Sequence, residues 1–205
     1  DLLESRGLGD VYKRQIELVL EDFHFGMPLT DPTALSQYEF GLRGLAVEYK
    51  KGPLEIAGGL MNNSGEHDTR FDGFIKISTK AFMLEAMGSY FKPEGRDLSL
   101  FLYAVLPTPL GGPPYFFIEG ISAGVGVNQI LNVPDSVDQV SSFPLVTAAM
   151  SPGGGQLAKQ SSTDDAFTLL ETQGLYDYDV GEKWIAAGLR FSSFKQVMSF
   201  AMVSV

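Results

Sequence analysis

Histidine and paired carboxylates are the side chains best suited to chemistry here, and the chain has only two histidines. Glu66-His67-Asp68 sets an imidazole between two acids. A metal site needs ligands converging from three or four positions, and adjacent residues on a strand or loop project in divergent directions. The triplet is therefore read as a solvated loop. His24, within Asp22-Phe23-His24-Phe25, is expected on a strand with one polar partner. The acid pairs Asp164/Asp165 and Asp177/Asp179 lie in polar, turn-like surroundings, which suits solvated surface or the first turn of a helix. Gly120 to Gly126 superficially resembles a dinucleotide fingerprint, but no third glycine follows at the required spacing and no helix opens after it. Ser151-Pro152-Gly153-Gly154-Gly155 lacks the Lys-Ser/Thr ending of a phosphate loop. Gly120-Ile121-Ser122-Ala123-Gly124 has the Gly-x-Ser-x-Gly spacing, but it lies inside a strand-like run with no helix opening after it, and two histidines leave little room for a serine triad. No catalytic, cofactor-binding or metal-binding residue is assigned, no cofactor is expected, and the chain is not read as an enzyme.

Composition narrows the class further. The net charge is −10, and nucleic-acid backbones call for clustered Lys and Arg that this acidic chain lacks. The 205 residues contain no cysteine, which excludes disulfides, thiolate metal sites and cysteine nucleophiles within this stretch. No apolar run reaches the length of a membrane-spanning helix.

The elements that would position any site read as strand, turn, strand. Leu45, Val47 and Tyr49 alternate with Ala46, Glu48 and Lys50, the period of a strand with one wetter face. Lys51-Gly52-Pro53 breaks the run and Leu54, Ile56, Gly58 and Leu60 resume it, predicting a hairpin. Phe71, Gly73, Ile75 and Ile77 share a face, as do Phe82, Leu84, Ala86, Gly88 and Tyr90. Leu98 to Leu106 is apolar on both faces, predicting a central strand covered on two sides. Pro107 to Pro114 holds four prolines and must be a shaped loop. In the next strand Gly120, Ser122, Gly124 and Gly126 line one face, where a large neighbour should pack. Asp135 to Met150 has helical spacing broken by Pro144, predicting two short helices. Ser162 is a candidate cap for another, and strand patterns return at Lys183 to Phe191 and Val197 to Val205.

Ser5 to Gln15, SRGLGDVYKRQ, matches one reading frame of a transposase-type sequencing adapter. Asp1 to Gln15 is accordingly expected to be adapter-derived, with residues 16–205 a fragment of one larger β-rich domain carrying a loop or helical insertion around 129–180. Blocks from Arg43 to Val205 resemble the domain-of-unknown-function family numbered 6603. They include Gly44-Leu45-Ala46-Val47-Glu48-Tyr49, Ala86-Met87-Gly88-Ser89-Tyr90 and Trp184-Ile185-Ala186-Ala187-Gly188-Leu189-Arg190-Phe191. The most specific block is Tyr103 to Phe117, with its aromatic-flanked proline-glycine loop. The resemblance implies a segment of a larger β-rich protein and supplies no activity.

The expected fold is mainly β: an antiparallel hairpin or meander sheet, curved or sandwich-like, with one to three short helices between residues 134 and 174. The expected function is a non-catalytic scaffold or binding segment with an apolar groove, its partner an apolar ligand or the rest of a larger polypeptide. The alternatives are a fragment of a membrane β-barrel, or part of an enzyme whose active residues lie elsewhere. The sequence assigns no compartment.

Overall fold

A computed structural model describes residues 16–26, 39–150 and 175–205. Its centre is one open sheet of nine strands, every neighbouring pair antiparallel. The strands are β1 (Ile16–Glu21), β4 (Gly44–Lys51), β5 (Leu54–Asn62), β6 (Asp68–Ser78), β7 (Met83–Pro93), β8 (Ser99–Leu106), β9 (Phe117–Leu131), β10 (Tyr176–Ser193) and β11 (Val197–Ser204), in that spatial order. Between β1 and β4 the chain forms a separate two-stranded sheet from β2 (His24–Gly26) and β3 (Glu39–Gly41).

The turns show why this sequence makes a meander. Gly52 sits at φ +59 between paired Lys51 and Leu54, the left-handed position a two-residue hairpin demands. At the β6–β7 turn the Thr79 hydroxyl accepts from the backbone N–H of Ala81 and Phe82, at 3.1 and 3.0 Å. At the proline-rich loop Thr108 Oγ1 accepts from Met83 N at 2.9 Å, tying the loop to the start of β7. The turn from β10 to β11 carries Phe194 and Lys195 at φ +50 and +57, a conformation uncommon for non-glycine residues.

Two short helices, α1 (Val137–Val140) and α2 (Pro144–Met150), follow β9. Pro144 opens α2, where its fixed φ suits the first helical turn and its missing N–H costs nothing. Leu145, Val146, Ala148 and Ala149 of α2 are buried in one core with Met87, Phe101, Tyr103, Val105, Trp184 and Ala186 of the sheet. The glycine face of β9 receives the expected large neighbours: a Cβ at Gly124 or Gly126 would collide with the Trp184 ring, and Tyr103 also lies against Gly124. Strand β10 begins at Tyr176, ahead of the apolar alternation at Lys183. Its first residues pair with Gln129, Ile130 and Leu131, and the ladder shifts register between Tyr178 and Lys183. That irregularity hides the strand from a strict period of two.

Candidate functional site

Among the described residues, none of the sequence motifs with chemical potential forms a convergent site. His67 is exposed and its Nδ1 lies 3.1 Å from Glu94 Oε2. Asp68 is occupied locally, its Oδ1 accepting from Gly65 N at 2.5 Å. His24 stands on β2 with its imidazole over Gly41. Asp177 lies on β10 and accepts from Asn132 Nδ2 at 2.9 Å. Asp164, Asp165, Ser162 and Ser151 to Gly155 lie outside the described residues. Among the described residues no group of three His, Asp or Glu side chains could hold a metal ion, and no helix is long and apolar enough to cross a membrane.

What the fold assembles instead is a division of the sheet into two faces. Following the register across the strands, one cross-strand row reads Leu20, Leu45, Leu60, Gly73, Gly88, Leu102, Val125 and Ile185. The next reads Leu18, Val47, Gly58, Ile75, Ala86, Ala104, Ala123, Ala187 and Val203. A third holds Ile16, Tyr49, Ile56, Ile77 and Leu84, then Leu106, Ile121, Leu189 and Ala201. These rows contain no charged side chain, and Tyr49 supplies their single hydroxyl. A partial fourth row adds Phe71, Tyr90, Leu100 and Val127 before it meets Lys183. Lys51 and Lys92 stand on the same face beyond the rows, at its margins.

The opposite face carries the strands' charges and the helices. Asp72 is fully buried there, its carboxylate accepting from Arg70 Nε at 2.8 Å and from Asn63 Nδ2 at 2.9 Å. Glu85 is buried 3.6 Å from Lys76 Nζ. Arg190 is buried and donates to Ala149 O in α2, at 3.3 Å, and to Glu119 O at 3.0 Å. Burial pulls the Arg190 guanidinium below its ordinary pKa, and the neighbouring Glu119 opposes that shift. The Tyr103 hydroxyl donates to Leu145 O at 2.8 Å. Burial pushes its pKa up to about 12, with Ser122 pulling weakly the other way. Tyr103 and Arg190 thus secure α2 to the sheet.

On the uncharged face, Gly73 of β6 and Gly88 of β7 are direct cross-strand partners. Their missing side chains leave a trough of about 400 Å³. Leu60 and Leu102 lean over the two glycines from either side, and Phe71 and Tyr90, with ring centroids 6.2 Å apart, stand at one end. The volume falls within the ~300–1,000 Å³ common for ligand pockets. Among the lining side chains on this face, only Tyr90 carries a polar group. Sequence alternation identified each strand's apolar side but could not pair the two glycines, because that pairing depends on hairpin register. The expected cover on both sides of Leu98 to Leu106 is also only half present: Phe101, Tyr103 and Val105 are buried, while Leu98, Leu100 and Leu102 are exposed.

Among known proteins, neither the curated sequences nor the solved structures include a match to the chain. A family model matches residues 9–205, nearly the whole length, a span that includes the proline-glycine loop. The chain belongs to the family of unknown function DUF6603.

Proposed function

We propose that this chain is a non-catalytic β-scaffold whose uncharged sheet face, centred on the Gly73–Gly88 trough, is a binding surface for an apolar partner. The observation that carries the reading is the run of three cross-strand rows without a charge, eight to nine strands wide. At ~4.8 Å between strands and ~3.4 Å per residue, that face with its partial fourth row covers roughly 800 Å². A soluble monomer's largest apolar patch is ordinarily ~300–600 Å². An uncharged solvatochromic dye should therefore fluoresce on the chain. Leu102→Lys, which sets an ammonium at the trough wall, should cut that enhancement about tenfold, the effect of roughly 1.4 kcal/mol. Glu48→Gln, on the opposite face, should leave it unchanged. Equal responses from the two variants would refute the reading.

A membrane β-barrel fragment is the second reading. Exposed Phe82, Tyr115, Phe116 and Phe194 gather on the turns at one end of the strands, as an interfacial aromatic girdle would. Strands that gain protease protection in phosphatidylcholine vesicles would favour it, and strands equally cleaved with and without vesicles would dismiss it.

A further inference from the structure

We propose that a second copy of the chain closes the uncharged face, packed sheet on sheet about a two-fold axis running along the strands above the gap between β8 and β9. This inference rests on the reading of that face as a binding surface and names its occupant. Area is the first argument. An axis above the β8–β9 gap overlays β6 to β11, six of the nine strands, so each copy contributes roughly 550 Å², and the total of about 1,100 Å² clears the ~1,000 Å² expected of a specific interface. A small ligand in the trough would cover only parts of β5 to β8. Two of the side chains most in need of cover lie outside it: Ile185 and Val203 are each 67% exposed.

Self-complementarity is the second argument. The face has a hollow over β6 and β7, floored by Gly73 and Gly88, and a ridge on β10 and β11 made by Ile185 and Val203. In the strand order these two pairs lie equally far from the β8–β9 gap, one on each side. A two-fold axis above that gap keeps each cross-strand row level, so Ile185 comes over the other copy's Gly88 and Val203 over its Ile75, and each contact is made twice, as an isologous interface requires. At the axis the side chains are short. Ala86, Ala104, Ala123 and Ala187 form a continuous row across β7 to β10, which lets two sheets approach to the ~10 Å of face-to-face packing. Charge fits as well, because Lys51, Lys92 and Lys183 stand at the margins, where an interface has its wet rim.

The test is the native mass of the full chain by light scattering across a dilution series. A dimer is expected, and Ile185→Lys should raise its dissociation constant at least about 100-fold while the far-ultraviolet dichroism of the dilute monomer is unchanged, since Ile185 is exposed within one copy. The chain has no cysteine, so Ala104→Cys gives a single thiol beside the axis. A short bismaleimide should join two such chains, and Lys50→Cys on the opposite face should not cross-link. Dye fluorescence per chain should rise on dilution as the faces part. A monomer that still binds the dye in the Leu102-dependent way would overturn the dimer and leave the binding face intact. A monomer that binds no dye there would overturn both. A dimer indifferent to Ile185→Lys and to the Ala104 thiol, or a monomer that sediments with phosphatidylcholine vesicles, would show another surface or lipid in the partner's place and overturn the inference.

Discussion

Tyr103→Phe should reverse its effect on stability as the pH rises. The Tyr103 side chain is 1% exposed, and its hydroxyl joins β8 to α2 through Leu145 O at 2.8 Å. Removing that oxygen deletes one buried hydrogen bond, worth about 1 kcal/mol net. Leu145 is an early residue of α2, so its carbonyl still has a helical N–H to accept from, and the loss stays near that figure. For a chain of this size the melting temperature should fall by about 2–4 °C at neutral pH. Alkali changes the comparison. The folded pKa of about 12 lies above the ordinary tyrosine value of 10.0, so the contribution of the neutral hydroxyl is complete below pH 10 and is lost as pH climbs through 12. Two units correspond to about 3 kcal/mol. Phenylalanine has no proton to lose, so the variant, weaker at neutral pH, should become the more stable protein near pH 11. Other tyrosines and lysines titrate in both proteins and cancel in the difference. Urea unfolding of the pair at several pH values, read by far-ultraviolet dichroism, measures it. A stability difference constant from pH 7 to 12 would refute the reasoning.

Two further perturbations probe the helix-covered face. Gly126→Ala places a methyl where the Trp184 ring lies, and expelling that ring should cost about 3 kcal/mol, as truncating a buried aromatic does. Trp184 is the single tryptophan, so its emission should move to the red while strand content holds; an unmoved spectrum would contradict the packing. Asp72→Ala leaves Arg70 without a carboxylate that is fully buried, and breaking such a pair costs roughly 3–5 kcal/mol. The lower end is expected because Arg70 reaches solvent, and an unchanged urea midpoint would show that the pair carries no stability.

Much of this fold was legible in the sequence because its signals are local. Gly52-Pro53, Ser78 to Ala81 and Lys92 to Asp97 mark their own turns, and each run between them alternates with a period of two. Pro144 likewise announced the break between α1 and α2. Two features escaped. The start of β10 pairs through an irregular register, so its residues Tyr176 to Tyr178 carry no clean alternation. The candidate site escaped for a different reason. Each strand revealed which of its sides was apolar, but Gly73 and Gly88 become one trough only when β6 and β7 are in register. The ridge at Ile185 and Val203 similarly joins residues from two strands. A site made of absences and register leaves no motif.

Alternation alone would also misplace the core. An antiparallel sheet usually turns its apolar face inward and its charged face to water. Here α2 packs on the face that bears Asp72, Glu85 and Arg190, while the cleaner apolar face lies open. The helix-covered face tolerates its ions because they are answered within the chain: Asp72 by Arg70 and Asn63, Glu85 by Lys76, Arg190 by backbone carbonyls. Burying charge in this way is seldom the cheaper route to stability, since well-packed apolar residues of similar volume often serve at least as well. The arrangement gains sense if the uncharged face is kept for an occupant. A sheet whose strands β7 to β10 already hold together through the helix side can present all its Leu, Ile and Val on the other side. An occupant of that face would be held by burial of apolar surface, with register across the strands as its source of specificity.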